Sequence, residues 1–272
     1  MWDNWISDAV ICLQDYIKQN HLKSVVLGLS GGIDSTVSAI ICHLAIKDMP
    51  NVTFIGRSLP IMNGSDEKSI AKKLGEILCD DFAEVDMKEF YYPWRLLFYK
   101  EEEESKATKI SDGNLMARMR MMYLYQLAHH YKGIVIDTDN MTEHKLGFYT
   151  IHGDVGDYNI GIRYLWKHEI WDLANVLKNY VPKAKEAIQE SINMQPTDGN
   201  CGGTDMDQIA PGATYGDVDL ILDSLTNVSK YRQAIDVCGL ALVERVEDRV
   251  IANNYKDKLP ITPYKMKEWF NR

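Results

Sequence analysis

The sequence predicts an α/β protein: a doubly wound, mostly parallel sheet with helices on both faces. Short apolar runs rich in Val and Ile alternate through the first half of the chain with stretches whose apolar residues recur every three or four positions. The runs are apolar at successive positions, the pattern of strands buried on two faces. A glycine-rich turn joins the first run directly to a stretch of helical period.

Taken in order, Trp2, Ile6, Val10, Leu13 and Ile17 mark an amphipathic leading helix. Val25-Val26-Leu27-Gly28-Leu29 is the first strand, and the helix after the glycine turn covers 37–46. The unit repeats with a strand over 52–59 and a helix from about 66 to 78. It repeats again with a strand over 82–85 and a long helical region ending near Tyr131. Gly133-Ile134-Val135-Ile136 supplies a fourth strand. Crossover connections of this kind make the strands parallel, and ligands of such sheets sit beyond the strands' carboxyl ends.

After Asp137 comes a Gly/Asp-rich segment, 147–161, then helices, then a Gly/Asp/Thr-rich stretch over 194–216 without apolar period. A loop of that length in a compact domain is expected to be a lid that orders over ligand, or disordered. Two or three helices follow, and the tail 253–272 carries Pro260 and Pro263 as helix breakers. The acidic run 101–104 reads as a solvated helix face. A single domain spanning 1–272 is expected, with no glutaminase domain.

Composition narrows the function classes. With 272 residues, 46% hydrophobic and 25% charged, the chain has the balance of a globular protein. A net charge of −9 and a pI near 5.3 argue against a broad nucleic-acid surface, whose energy comes from Lys and Arg neutralising phosphates. Cys12, Cys42, Cys79, Cys201 and Cys238 form no CxxC pair, so neither a zinc site nor a dithiol centre is suggested. The N-terminus carries acids where a signal peptide needs positive charge, and no apolar run reaches the roughly 18 residues of a membrane span. A cytoplasmic location without a membrane partner is expected. None of the seven histidines joins a metal or triad pattern; His129 and His130 close a helix and complement its dipole.

The chemistry is concentrated after the first strand, in Leu29-Ser30-Gly31-Gly32-Ile33-Asp34-Ser35-Thr36. Two glycines let backbone N–H groups approach an anion, a helix N-terminus adds positive potential, and three hydroxyls can donate further. The plainer reading is a tight turn with Ser or Asp as N-cap. The segment resembles the SGGxDS loop of the ATP pyrophosphatases, the adenine nucleotide alpha hydrolase-like group with a Rossmann-like fold, which includes NAD synthetase. It lacks the closing Gly-Lys-Ser/Thr of a Walker loop.

Two further segments narrow the resemblance. Gly113-Asn114-Leu115-Met116-Ala117-Arg118-Met119-Arg120-Met121 is similar to the GNxxARxRM helix of ammonia-dependent NAD synthetases. Thr138-Asp139-Asn140-Met141-Thr142-Glu143 is similar to their TDNxxE segment, and Gly147-Phe148-Tyr149-Thr150 and Gly153-Asp154 continue in register. The resemblance implies that Gly28, Leu29, Ser30, Gly31, Gly32, Ile33, Asp34 and Ser35 hold ATP phosphates, with Thr138, Lys167 and Thr197 also on ATP. Arg57 in Arg57-Ser58-Leu59-Pro60 resembles the family's Arg-Leu-Pro adenine segment displaced by one residue. It implies Mg²⁺ on Asp34 and Glu143, catalytic roles for Asp34 and Lys167, and a deamido-NAD site drawing on Asn114 and Arg118. A homodimer is implied too, with 91–131 as its candidate interface. Read singly, Arg118 and Lys167 could be surface cations and Glu143 a first-turn acid. The Met cluster of Met116, Met119, Met121 and Met122 reads as adaptable packing.

Departures from the family pattern cluster where it reads the dinucleotide. Ile151 and His152 follow the aromatic-Thr segment where Lys is usual, and Asp157-Tyr158 stand where Ala-Asp is usual. Tyr255-Lys256-Asp257 replaces His-Lys-Arg, so His152, Asp157, Tyr158, Tyr255 and Lys256 are the candidate substrate contacts, with Lys258 a possible substitute. The expected activity is amidation of deamido-NAD with ammonia through an adenylate. The alternatives are a related adenylating ligase acting on another carboxylate, or a degenerate nucleotide-binding homologue. An RNA-thiolating enzyme is disfavoured by the acidity and the absence of paired cysteines.

Overall fold

In the computed structural model, which describes residues 1–62, 65–98, 106–197 and 204–258, five parallel strands form one sheet in the order β3-β2-β1-β4-β5. The strands are β1 (Ser24–Gly28), β2 (Thr53–Ser58), β3 (Asp81–Glu84), β4 (Gly133–Asp137) and β5 (Tyr158–Asn159). The first four fall on the apolar runs. β5 lies in the segment expected to be irregular, because it pairs only two residues, with Ile136 and Asp137, too few to leave a periodic pattern.

Helices α1 (Trp2–Gln19), α2 (Ile33–Ile46) and α3 (Ser65–Leu78) precede α4 (Lys88–Phe98) and α5 (Lys106–His130). The single long helical region expected before Tyr131 is thus two helices, and the acidic run 101–104 lies outside the described residues. The second half contains α6 (Met141–Leu146), α7 (Lys167–Leu177), α8 (Lys185–Asn193), α9 (Asp205–Ile209), α10 (Tyr215–Ser224), α11 (Val228–Cys238) and α12 (Leu240–Asn253). The stretch expected as a 194–216 lid therefore contains α9 and the start of α10. Its residues 198–203 lie outside the described residues, as do Cys201, Pro260, Pro263 and the Lys258 side chain.

Alternation along the central strands feeds two cores. Val25, Leu27, Phe54, Ile134 and Ile136 face a cluster with α1, α2, α3, α7 and α8. Val26, Ile55 and Val135 face the opposite one with Tyr91 of α4 and Met116, Met119, Met121 and Leu124 of α5. Fully burying each such side chain stabilises the fold by about 1.5–3 kcal/mol. Three of the four clustered methionines are packing, as expected; Met122 is 57% exposed. A third cluster joins α6 to α9, α10, α11 and α12. No described helix is long and apolar enough to cross a membrane.

Strand order reverses between β1 and β4, so their carboxyl ends diverge and leave a crevice there. The motifs singled out from the sequence leave these two strands: the glycine turn follows β1, and Thr138-Asp139-Asn140 follows β4.

Candidate active site

The crevice is a cleft of about 830 Å³ whose walls include Gly28, Leu29, Ser30, Gly32, Ile33, Asp34 and Ser35. Leu29 continues the sheet by donating its N–H to Arg57 O at 2.8 Å, and the chain then turns away from β2. Gly31 sits at φ +89°, and a Cβ there would lie 2.4 Å from Glu67 O of α3, so only glycine allows this approach. The hydroxyls hold the loop: Gly32 N donates to Ser30 Oγ at 3.2 Å, and Ser35 Oγ and Thr36 Oγ1 each donate to Gly32 O at 2.9 Å. Ser191 of α8, buried, lies 2.9 Å from both Thr36 Oγ1 and Gly31 O. The loop's shape is thus fixed before any anion arrives.

Asp34 stands in the first turn of α2, Glu143 in the first turn of α6, and Lys167 is the first residue of α7. Lys167 Nζ donates to Asp34 Oδ2 at 2.6 Å and to Glu143 Oε1 at 2.9 Å. Only 2% of Lys167 is exposed, so this is a buried triad and not a surface cation. Burial opposes the Lys167 charge, but Asp34 and Glu143 outweigh it and hold the ammonium well above its ordinary range. Burial also pushes the Glu143 carboxyl upward, against the pull of Lys167. The three groups form a polar centre whose members need one another's charge.

Residues to which the motifs assign no role assemble this centre. Asn140, fully buried, donates from Nδ2 to Asp34 Oδ1 at 2.8 Å while its Oδ1 accepts from Glu143 N at 3.0 Å, capping α6. Lys167 N donates to Thr142 Oγ1 at 2.9 Å, and the Thr142 hydroxyl donates in turn to Asp219 Oδ1. The other oxygen of Asp219, on α10 and 1% exposed, accepts from His168 N at 3.1 Å and lies 2.8 Å from His168 Nδ1. Tyr215 places its ring 5.2 Å from Lys167 Nζ and donates its hydroxyl to Asp205 Oδ2 at 2.7 Å. The one retrospective signal is the Thr-x-x-Asp spacing of Thr204-Asp207 and Thr214-Asp217, two capping boxes that start α9 and α10.

Other expected contacts divide. Thr138, Asn114, Lys256 and Thr197 line the cleft. Thr197 Oγ1 donates to Glu67 Oε1 at 2.8 Å, and Asn114 Oδ1 accepts from Thr150 Oγ1 at 2.7 Å. Arg57 also lines it, but its guanidinium is bound to Gly56 O, Asp81 O and Asp81 Oδ2. The expected substrate residues Arg118, His152, Asp157, Tyr158 and Tyr255 are not in the cleft wall. Arg118 is exposed and donates to Ile151 O at 3.1 Å, and His152 is an exposed turn residue at φ +60°. Asp157 is taken up by Val135 N at 3.1 Å and Tyr125 Oη at 2.8 Å, because β5 binds the edge of β4 there. Tyr158 packs against Tyr16 of α1, ring centroids 4.8 Å apart. Tyr255 is 49% exposed.

A model of the NAD synthase family matches residues 5–260. The NH(3)-dependent NAD(+) synthetase of Wolinella succinogenes is 30% identical over 257 residues, 94% of this chain and 93% of that one. Among solved structures, an NMN synthetase from Francisella tularensis superposes with a TM-score of 0.78 at 27% identity, covering 97% of this chain and 99% of its own. An NH3-dependent NAD synthetase from Campylobacter jejuni gives 0.72 at 26% identity with the same coverages.

Proposed function

The chain belongs to the NAD synthase family, and from that premise we propose how its cleft carries out the ATP-dependent amidation of deamido-NAD to NAD with ammonia. A nicotinate carboxylate oxygen attacks the α-phosphate of ATP and pyrophosphate leaves. Ammonia then attacks the carboxyl carbon of the adenylate, AMP departs with the C–O bond electrons, and the nitrogen loses a proton to give the amide. The observation that carries this reading is the meeting of Asp34, Glu143 and Lys167 just beyond the phosphate loop, at the switch point of the sheet. Backbone and hydroxyl donors of 28–35 receive the β- and γ-phosphates, and Thr197, held by Glu67 beside the loop, reaches them as well. Lys167 offsets charge at the α-phosphate during attack. The first step needs no proton transfer, so positioning and exclusion of water from the adenylate supply most of the catalysis.

Asp34 and Glu143 suit Mg²⁺, since two carboxylate oxygens already converge on one cationic group. No cluster of three or more potential ligand side chains occurs among the described residues, so nucleotide oxygens and water would complete the shell. Such an ion, when bound, neutralises the leaving pyrophosphate. A homodimer and a cytoplasmic location go with the same reading. Phe90, Trp94, Leu97 and Phe98 of α4 are 45–75% exposed, an apolar face suited to a second copy of the chain.

The test is formation of AMP and NAD from ATP and deamido-NAD with ammonia, and separately with ammonia-free glutamine. Ammonia should support turnover and glutamine should not. The mononucleotide counterpart is run alongside, because the Francisella tularensis neighbour carries NMN in its name. Asp34→Asn should lower kcat by at least about 100-fold, the scale of losing one transition-state charge contact, in a protein that still folds but melts lower, because buried Lys167 keeps only Glu143 as counter-charge. Absence of deamido-NAD-dependent AMP release from wild type would end the reading.

A further inference from the structure

The part of the cleft wall formed by α12 carries a guanidinium that the motifs do not account for. Arg249 of α12 lines the cleft beside Phe148, Asn253 and Lys256. Its Nη1 donates to Gln208 O at 3.1 Å and its Cζ stands 5.3 Å from the Phe148 ring centroid. Its Nε is buried with no hydrogen-bond partner. Burial, followed by the neighbouring Arg249, lowers the Lys256 pKa while Asp154 and Asp139 oppose this, and Lys256 spends its donors on Gly147 O and Tyr149 O, both at 2.6 Å. No carboxylate among the described residues supports the Arg249 charge, whose proton affinity is lowered by burial alone.

The chain builds this arrangement at close quarters. Gly147 sits at φ +59°, and a Cβ there would lie 2.4 Å from Asn253 Cβ, so glycine lets the loop press against α12 and brings Phe148 to Arg249. The two neighbouring, half-buried cations repel each other; Asp154 and Asp139 support Lys256, but no carboxylate among the described residues does so for Arg249. A planar guanidinium on an aromatic face is suited to receiving an oxyanion through two parallel N–H bonds.

We propose that Arg249 anchors the substrate end of the cleft by pairing with an oxyanion of the incoming dinucleotide, either its nicotinate carboxylate or its phosphate oxygens. This inference rests on the deamido-NAD reading above and adds a residue to it. Lys256 serves a different end, holding the 147–149 backbone on which Phe148 stands.

Calorimetric titration of the full chain with deamido-NAD, with NAD and with Mg·ATP tests it, using wild type, Arg249→Met and Arg249→Lys. Arg249→Met should weaken deamido-NAD about 10- to 100-fold, the scale of a lost charge-assisted hydrogen bond, and leave Mg·ATP within about twofold. Arg249→Lys should fall between, since it keeps charge but not the fork. NAD carries a neutral amide in place of the carboxylate. If NAD binding is unaffected by Arg249→Met, the carboxylate is the partner; if NAD loses as much as deamido-NAD, the phosphates are. The ligand-free Met variant should melt no lower than wild type. Equal deamido-NAD affinity in wild type and a folded Arg249→Met would overturn the anchor. A lowered melting point with loss of both nucleotides would also overturn it, marking a structural role. Failure of wild type itself to bind deamido-NAD would remove the underlying reading and the anchor together.

Discussion

Around Lys167, side chains of α2, α6 and α7 meet within hydrogen-bond distance, and one ammonium serves two carboxylates. Asp34 and Glu143 were legible because each lies in a compact motif with its own spacing. Asn140 was visible only as a letter of such a motif, and its bridging role depends on the fold bringing position 34 beside it. Asp157 and Tyr158 stand outside the cleft wall, because sequence register gives adjacency along the chain, not the face on which a side chain emerges. Asp139 has a clearer energetic signature. It is 6% exposed, its Oδ2 has no hydrogen-bond partner, and burial followed by Asp137 and Glu143 raises its carboxyl well above the ordinary range. A carboxyl whose folded pKa exceeds its unfolded value of about 3.9 stabilises the fold fully only below that value and loses the contribution as pH climbs through the folded pKa. Asp139→Asn should therefore raise the unfolding midpoint at neutral pH, by on the order of 1–3 kcal/mol, and the gain should vanish near pH 3. Thermal melts of both proteins from pH 3 to 8 measure this; a neutral-pH loss would mean that Asp139 is ionised and satisfied.

Helix α10 shows how an element outside the motifs governs the site. Its Asp219 ties Thr142 at the start of α6 to His168 at the start of α7, and thereby fixes the entry of Lys167. Nothing in the spacing between positions 142, 167 and 219 announces this, because the three meet only once α10 packs on α7. Helix α9 was missed for another reason: five residues are too short for an apolar period, and only its capping box marks it. Asp219→Ala leaves the buried Thr142 hydroxyl without its acceptor and frees exposed His168 from its tether, so a stability loss of about 1–3 kcal/mol is expected. If Asp219 aims Lys167, kcat should fall about 10- to 100-fold with a smaller change in KM for ATP. Steady-state kinetics beside a melting curve distinguish this from instability alone: a melting shift with wild-type kcat would confine Asp219 to scaffolding.

At the scale of the whole molecule, periodicity and β-branched runs disclosed the α/β class and four of five strands. The order β3-β2-β1-β4-β5 was not readable, because strand neighbours are chosen by crossovers and not by local pattern. The apolar face of α4 was likewise hidden in a long helical region that sequence alone does not divide into covered and bare surface. If a second copy covers that face, wild type should sediment at about twice 31.1 kDa, and Trp94→Glu with Leu97→Glu should sediment as a monomer. A monomeric wild type at micromolar concentration would exclude the pairing. The contact of Ser191 with Gly31 O and Thr36 Oγ1 reaches across 160 and 155 residues of chain. Closing a loop of that length comes late in folding, because its entropy must be met before the contact can form. A nascent chain that has emerged only as far as β4 therefore carries the glycine turn without its anchor from α8, so the growing polypeptide acquires its grip on nucleotide only once α8 has followed, after the sheet's central strands are in place.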